Sequence, residues 1–76
     1  MKEEKSAIIM GATSGIGHEV AKLLALRGWK VGVAGRREEI LSQMVRETKG
    51  IVAYEVIDVT THNATDALHR LINKLK

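Results

Sequence analysis

Apolar positions along the chain fall into short blocks whose spacing alternates between strand-like and helical. Ser6–Met10 (Ser-Ala-Ile-Ile-Met) is a nearly continuous apolar run, the mark of a strand covered on both faces, as parallel sheets require. Over Gly15–Leu26, residues Ile16, Val20, Ala21, Leu23, Leu24 and Ala25 recur at helical spacing, and Gly28 supplies a stop where φ turns positive. Residues 30–34 (Lys-Val-Gly-Val-Ala) predict a second strand, and the gap back to Met10 holds the helix of a right-handed crossover. Residues 38–48 place Ile40, Leu41, Met44 and Val45 on one stripe, with Gly50 just beyond. They predict a second helix, whose acidic start at Glu38 and Glu39 suits the helix dipole. Residues 51–57 read as a third strand, and Ala64, Ala67, Leu68, Leu71, Ile72 and Leu75 mark a third helix that Thr61 or Asn63 can cap.

The order is β-α-β-α-β-α, with no proline, repeat or linker to divide it. One layered α/β unit over residues 1–76, a partial Rossmann-like fold with a parallel sheet, accounts for the whole pattern.

Between the first strand and the first helix lies Met10-Gly11-Ala12-Thr13-Ser14-Gly15-Ile16-Gly17. Three glycines there let the backbone turn off a strand end, bring bare N–H groups against a pyrophosphate, and seat the helix close to the sheet. The segment reads as a dinucleotide cradle, with Gly11, Thr13, Ser14, Gly15, Ile16 and Gly17 as candidate cofactor contacts.

Composition narrows the surroundings. The chain has 76 residues and no cysteine. Its charged start carries no apolar signal core and no apolar run approaches the ~20 residues of a membrane span, which together predict a cytoplasmic protein with no membrane partner. A formal charge of +3 is dispersed, and Trp29 and Tyr54 are the only aromatic residues. Neither a basic stripe nor a stacking platform points to nucleic acid.

Other site chemistries fail on spacing. A P-loop needs Lys-Ser/Thr after its second glycine, and here Gly17 is followed by His18. A nucleophile elbow needs Gly-x-Ser-x-Gly, whereas Gly15 directly follows Ser14. His18, His62 and His69 form no i, i+4 pair, so no metal site is expected.

With the cradle on a strand-turn-helix, the chain resembles the beginning of a short-chain dehydrogenase/reductase, whose cofactor turn is Thr-Gly-x-x-x-Gly-x-Gly. Gly35-Arg36-Arg37 after the second strand and Asp58-Val59 after the third continue the likeness in family order. Met10 stands where the family has threonine. The resemblance implies a strand order 3-2-1, pyrophosphate and ribose contacts from the turn and Ser14, and Ile16 near the nicotinamide side. It also implies that Asp58 and Val59 flank the adenine, the carboxylate accepting from the exocyclic amine and the aliphatic side chain packing on the ring.

The choice of cofactor follows from the end of the second strand. An NAD site wants an acid about 20 residues past the glycines to bind the ribose 2′-OH. Arg36 and Arg37 occupy that place instead, and a guanidinium fork suits a 2′-phosphate. The expected cofactor is NADP(H) in preference to NAD(H).

In that family hydride transfer uses a Tyr-x-x-x-Lys pair with a serine and an asparagine, and the chain holds no such set. Tyr54 is followed four residues on by Asp58 rather than lysine and reads as a sheet residue. Asn63-Ala64-Thr65 opens a helix and reads as a cap. The chain is therefore expected to be a cofactor-binding fragment of a longer domain that turns over no substrate alone. The alternative is a non-catalytic nucleotide-binding or oligomerising module. In the family fold a fourth strand flanks the first, so the resemblance leaves Ala7, Ile8, Ile9 and Met10 as an unpaired apolar edge. The first two helices are expected on one face and the third on the other. Homo-oligomers through the first-strand edge, or by exchange of the third helix, are expected.

Overall fold

The computed structural model describes residues 4–58, 60 and 63–76. Three parallel strands, β1 (Ser6–Met10), β2 (Lys30–Gly35) and β3 (Ile51–Val56), alternate with three helices, α1 (Gly15–Leu26), α2 (Glu38–Glu47) and α3 (Ala64–Lys74). The strands are ordered β1-β2-β3, with β2 central, as the expected 3-2-1 order requires. Boundaries shift by a residue or so from the sequence expectation: β2 runs on to Gly35, α2 ends at Glu47 and β3 at Val56.

Helices cover both faces and make two separate cores. On one face Ala21 and Ala25 of α1 and Leu41 and Met44 of α2 pack on Val31, Val33 and Ile51. On the other, Ala67 and Leu71 of α3 pack on Ala34 and Ala53. Gly32 makes the second contact close, since a Cβ there would lie 3.1 Å from a Leu71 methyl carbon.

Strict alternation along β3 fails at one place. Val31 pairs with Ile51 but Gly32 pairs with Ala53, so Val52 is an extra residue in the ladder. This bulge resets the alternation. Ile51 joins the α1/α2 core, Ala53 joins the α3 core, and Tyr54 returns to the α1/α2 side.

β1 departs from the reading of a strand buried on both faces. Ala7, Ile8 and Ile9 are half-buried and Ser6 and Met10 exposed, because only β2 pairs with β1 among the described residues. Asn63 stands at the N-cap position of α3, but its side chain makes no capping hydrogen bond; the Thr61 alternative lies outside the described residues. At the far end of the sheet Gly50, at φ +101°, runs against α1, and a Cβ on it would lie 3.0 Å from the Ala25 Cβ.

Candidate functional site

Gly11, Arg36 and Asp58 all follow the C-terminal ends of their strands, the edge where open α/β sheets bind ligands. Backbone hydrogen bonds tie the three loops together. The Ala12 amide donates to Ala34 O at 2.9 Å, and the Ile57 amide donates to Gly35 O at 2.8 Å.

Two of the three turn glycines are required by the protein itself. Gly11 adopts φ +71°, and a Cβ on Gly17 would lie 2.6 Å from Gly11 O. Gly15 has an ordinary φ, and a Cβ there would meet nothing within 4 Å. Its lack of a side chain leaves room in front of the turn, not behind it.

Ser14 is the N-cap residue of α1, in an extended conformation with φ −107°. Its hydroxyl does not cap the helix. It donates backward to Gly11 O at 3.1 Å, and its amide donates to the same oxygen at 3.3 Å. These two bonds and the Ala12 amide hold the bend that follows Met10. The first helical hydrogen bond runs from the His18 amide to Ser14 O at 2.8 Å. The amides of Gly15, Ile16 and Gly17 consequently have no acceptor among the described residues, which is the condition for an anion site at a helix start.

An open cleft of about 710 Å³ runs from the turn along α1, bordered by Thr13, Gly15, Ile16, His18 and Val20 and, on α2, by Ile40. Thr13 is half-buried, and its Cγ2 would lie 2.9 Å from a Cβ on Gly35, so the glycine at the end of β2 lets the turn rest on that strand. Ile16 is 84% exposed, too open to be a core residue.

Arg36 and Arg37 are exposed at the start of the β2–α2 loop, and neither guanidinium donates a hydrogen bond among the described residues. Arg37 also provides the N-cap position of α2. Across the loop, Asp58 Oδ1 accepts from Thr60 Oγ1 at 2.7 Å and from the Thr60 amide at 3.0 Å. Those bonds, with the nearby charge of Arg36, hold the Asp58 carboxyl below its ordinary pKa. The site thus keeps a fixed carboxylate beside an arginine. Val59 lies outside the described residues.

The two described histidines, His18 and His69, do not converge, and His62 lies outside the described residues. His69 is exposed, while His18 is half-buried in the cleft where α1 faces Met44 and Gln43 of α2. The reason is rotational: three residues before Ala21, position 18 turns toward α2. No cluster of three metal-ligating side chains occurs among the described residues. Tyr54 sits in β3 and its hydroxyl donates to Glu38 Oε2 at 3.1 Å.

The profile of the short chain dehydrogenase family matches residues 5–75. The chain belongs to this family. A probable 2,4-dienoyl-CoA reductase of Bacillus subtilis is 40% identical over 65 residues, covering 82% of this chain and 26% of its own length. An uncharacterized oxidoreductase of Staphylococcus saprophyticus is 36% identical over 62 residues, covering 76% and 26%. Among solved structures, a variant of the actinorhodin polyketide ketoreductase with NADPH superposes with a TM-score of 0.81 at 30% identity, over 95% of this chain and 29% of that one. Glucose dehydrogenase of Caenorhabditis elegans, in its apo form, gives 0.76 at 33% identity, over 93% and 33%. The chain thus spans roughly a quarter to a third of these short-chain dehydrogenase relatives. In this family the N-terminal Rossmann-like part carries the NAD(P) cofactor, and the open turn described above belongs to that part.

Proposed function

We propose that the chain is the NADP(H)-binding front half of a short-chain dehydrogenase/reductase-type oxidoreductase. The observation that carries this is the row of three unpaired amides at Gly15, Ile16 and Gly17, beside the space left open at Gly15. Those amides take the pyrophosphate, with Gly11 and Thr13 shaping the bend and Ser14 at its edge. Arg36, with Arg37 beside it, takes the ribose 2′-phosphate. Asp58 and Val59 border the adenine, and Ile16 faces the nicotinamide half. Residues 1–76 form one binding unit of a longer domain, set in the cytoplasm.

The chain contributes binding and no proton transfer. It has no Tyr-x-x-x-Lys pair, and the hydroxyl of Tyr54 is engaged with Glu38. On this reading the isolated chain binds nucleotide and reduces nothing. A second reading, a non-catalytic module that associates with its own kind through β1 or by exchanging α3, is favoured by the edge of β1, with which only β2 pairs among the described residues.

Titration calorimetry with NADPH and NADH tests the first reading. The expected result is tighter binding of NADPH. Binding of neither nucleotide, or equal binding of both, overturns it.

A further inference from the structure

The start of α2 sets two demands against each other. A helix start favours acidic residues, and Glu38 and Glu39 supply them. Arg36 and Arg37, directly before them, are assigned above to a 2′-phosphate, which a neighbouring carboxylate repels. An acid at that place favours the plain ribose 2′-OH of NAD(H) instead. A loose Glu38 side chain also competes for the guanidinium itself. Position 38 lies at most about 7 Å along the chain from Arg36, and a carboxylate is as good a partner for the guanidinium fork as a phosphate.

Glu38 is not loose. Its Oε2 accepts from the Tyr54 hydroxyl at 3.1 Å, and it forms no ion pair with Arg36 or Arg37 among the described residues. The phenol that holds it is itself fixed. Tyr54 is half-buried against the α1/α2 core, and its backbone carbonyl accepts from Lys74 Nζ at 2.9 Å. The same ammonium lies 5.9 Å from the ring centroid. Arg46 of α2 and Lys74 of α3 are the cations whose charge reaches the phenol, so the carboxylate rests where positive charge already surrounds it.

Helix geometry sets the direction. Ile40, Gln43 and Met44 of α2 line the cleft toward α1. Glu38 stands two residues before Ile40, about 200° around the helix, and so lies on the flank over β3, away from that cleft. Glu39 stands about 200° from the buried Leu41 and is exposed to solvent.

We infer that Tyr54 is a positioning residue for cofactor choice: its hydroxyl holds the Glu38 carboxylate on the β3 flank of α2 and leaves Arg36 and Arg37 free for the 2′-phosphate. The inference rests on the NADP(H) reading above and names the device that reconciles an acidic helix start with it. Tyr54 touches no nucleotide and acts through Glu38.

Calorimetry with NADPH and NADH on wild type, Tyr54→Phe, Glu38→Gln and the double variant separates this role from simple support of the fold. Tyr54→Phe keeps the ring and removes the hydroxyl. It is expected to lower the ratio of NADPH to NADH affinity by about threefold, the scale of one exposed charge. Glu38→Gln alone is expected to leave the ratio near its wild-type value, and to restore it when added to Tyr54→Phe, a coupling that a purely structural tyrosine does not produce. Glu39→Gln in its place is expected to restore nothing. Glu38→Asp leaves β3 untouched and draws the carboxylate back from the phenol, and is expected to lower the ratio as Tyr54→Phe does. Equal weakening of both nucleotides by Tyr54→Phe, an unchanged ratio in Glu38→Asp, or no rescue by Glu38→Gln overturns the inference and leaves the cofactor reading in place. A wild type without preference for NADPH overturns that reading and the inference together.

Discussion

The ammonium of Lys74 lies 2.6 Å from Glu55 Oε2 and at the same time caps the Tyr54 carbonyl, fastening the last turn of α3 to the edge strand. Arg70 adds a second contact to Oε1 at 3.4 Å. The carboxylate is only 13% exposed, whereas Lys74 is 47% and Arg70 59% exposed, so solvent screens the cations and the arrangement stabilises by about 1 kcal/mol. Lys74→Met is expected to lower the unfolding free energy by about that amount in urea titrations.

Glu55 also gives the fold a dependence on acid. Burial pushes its carboxyl upward, but the hydrogen bond and charge of Lys74, then Arg70, more than offset this and bring it below the ordinary 4.5. A carboxyl lowered on folding contributes stability that is fully present above its unfolded value and disappears as pH falls through its folded value. Melting temperatures should therefore drop as pH is lowered from 4.5 through that value, and Glu55→Gln should flatten the drop.

The glycine pair Gly15 and Gly17 separates binding from folding. Gly15→Ala meets no protein atom within 4 Å and improves helix propensity, so stability should hold or rise by up to about 1 kcal/mol. On the proposed reading NADPH affinity should fall, because the methyl enters the space assigned to phosphate. Gly17→Ala drives a Cβ to 2.6 Å from backbone at Gly11 and is expected to cost about 1–3 kcal/mol of stability. Calorimetry and urea unfolding on the two variants measure both effects. Equal loss of binding and stability in Gly15→Ala would contradict the assignment.

On the proposed reading, Arg36 carries the choice between cofactors. Charge-assisted hydrogen bonds to a phosphate contribute about 1.5–3 kcal/mol each before desolvation, so the wild-type preference for NADPH over NADH should exceed ~1 kcal/mol. Arg36→Ala should erase most of it while leaving NADH affinity nearly unchanged. The same variant should let the Asp58 pKa rise in an NMR titration, since Arg36 helps to hold it down.

Tyr54 titrates as a structural residue. Its hydrogen bond to the Glu38 carboxylate raises its pKa above the ordinary 10.0, with smaller upward contributions from burial and from the Glu38 charge. The stability linked to this phenol is present below 10.0 and is lost as pH rises through the folded value. Ultraviolet titration should place the folded phenol above 10.0, and Glu38→Gln should bring it back toward that value.

Local signals made most of the fold legible. Apolar spacing gave α1 its range and placed the other elements to within about a residue, and the glycines placed the turn. What stayed hidden depends on contacts distant in sequence. The Val52 bulge sends Ile51 and Ala53 to opposite cores, although a two-residue period assigns them to one. The partial burial of β1 is set by what does not pair with it, so its apolar composition looked like that of a central strand. At the candidate site, the open turn between β1 and α1 was readable from the spacing of its glycines. The backward hydrogen bond of Ser14 was not, because a serine before a helix ordinarily caps it, and only the position of Gly11 O diverts the hydroxyl and leaves the amides open.

The close passage of Gly50 beside Ala25 limits how this lineage can drift. With φ at +101° and a hypothetical Cβ 3.0 Å from that of Ala25, any side chain at position 50 is strained. Any enlargement at position 25 must press on the turn that leads into β3. Homologues that acquire a bulkier residue at position 25 should therefore show a lengthened or displaced turn after their second helix, an evolutionary correlation between segments 25 residues apart.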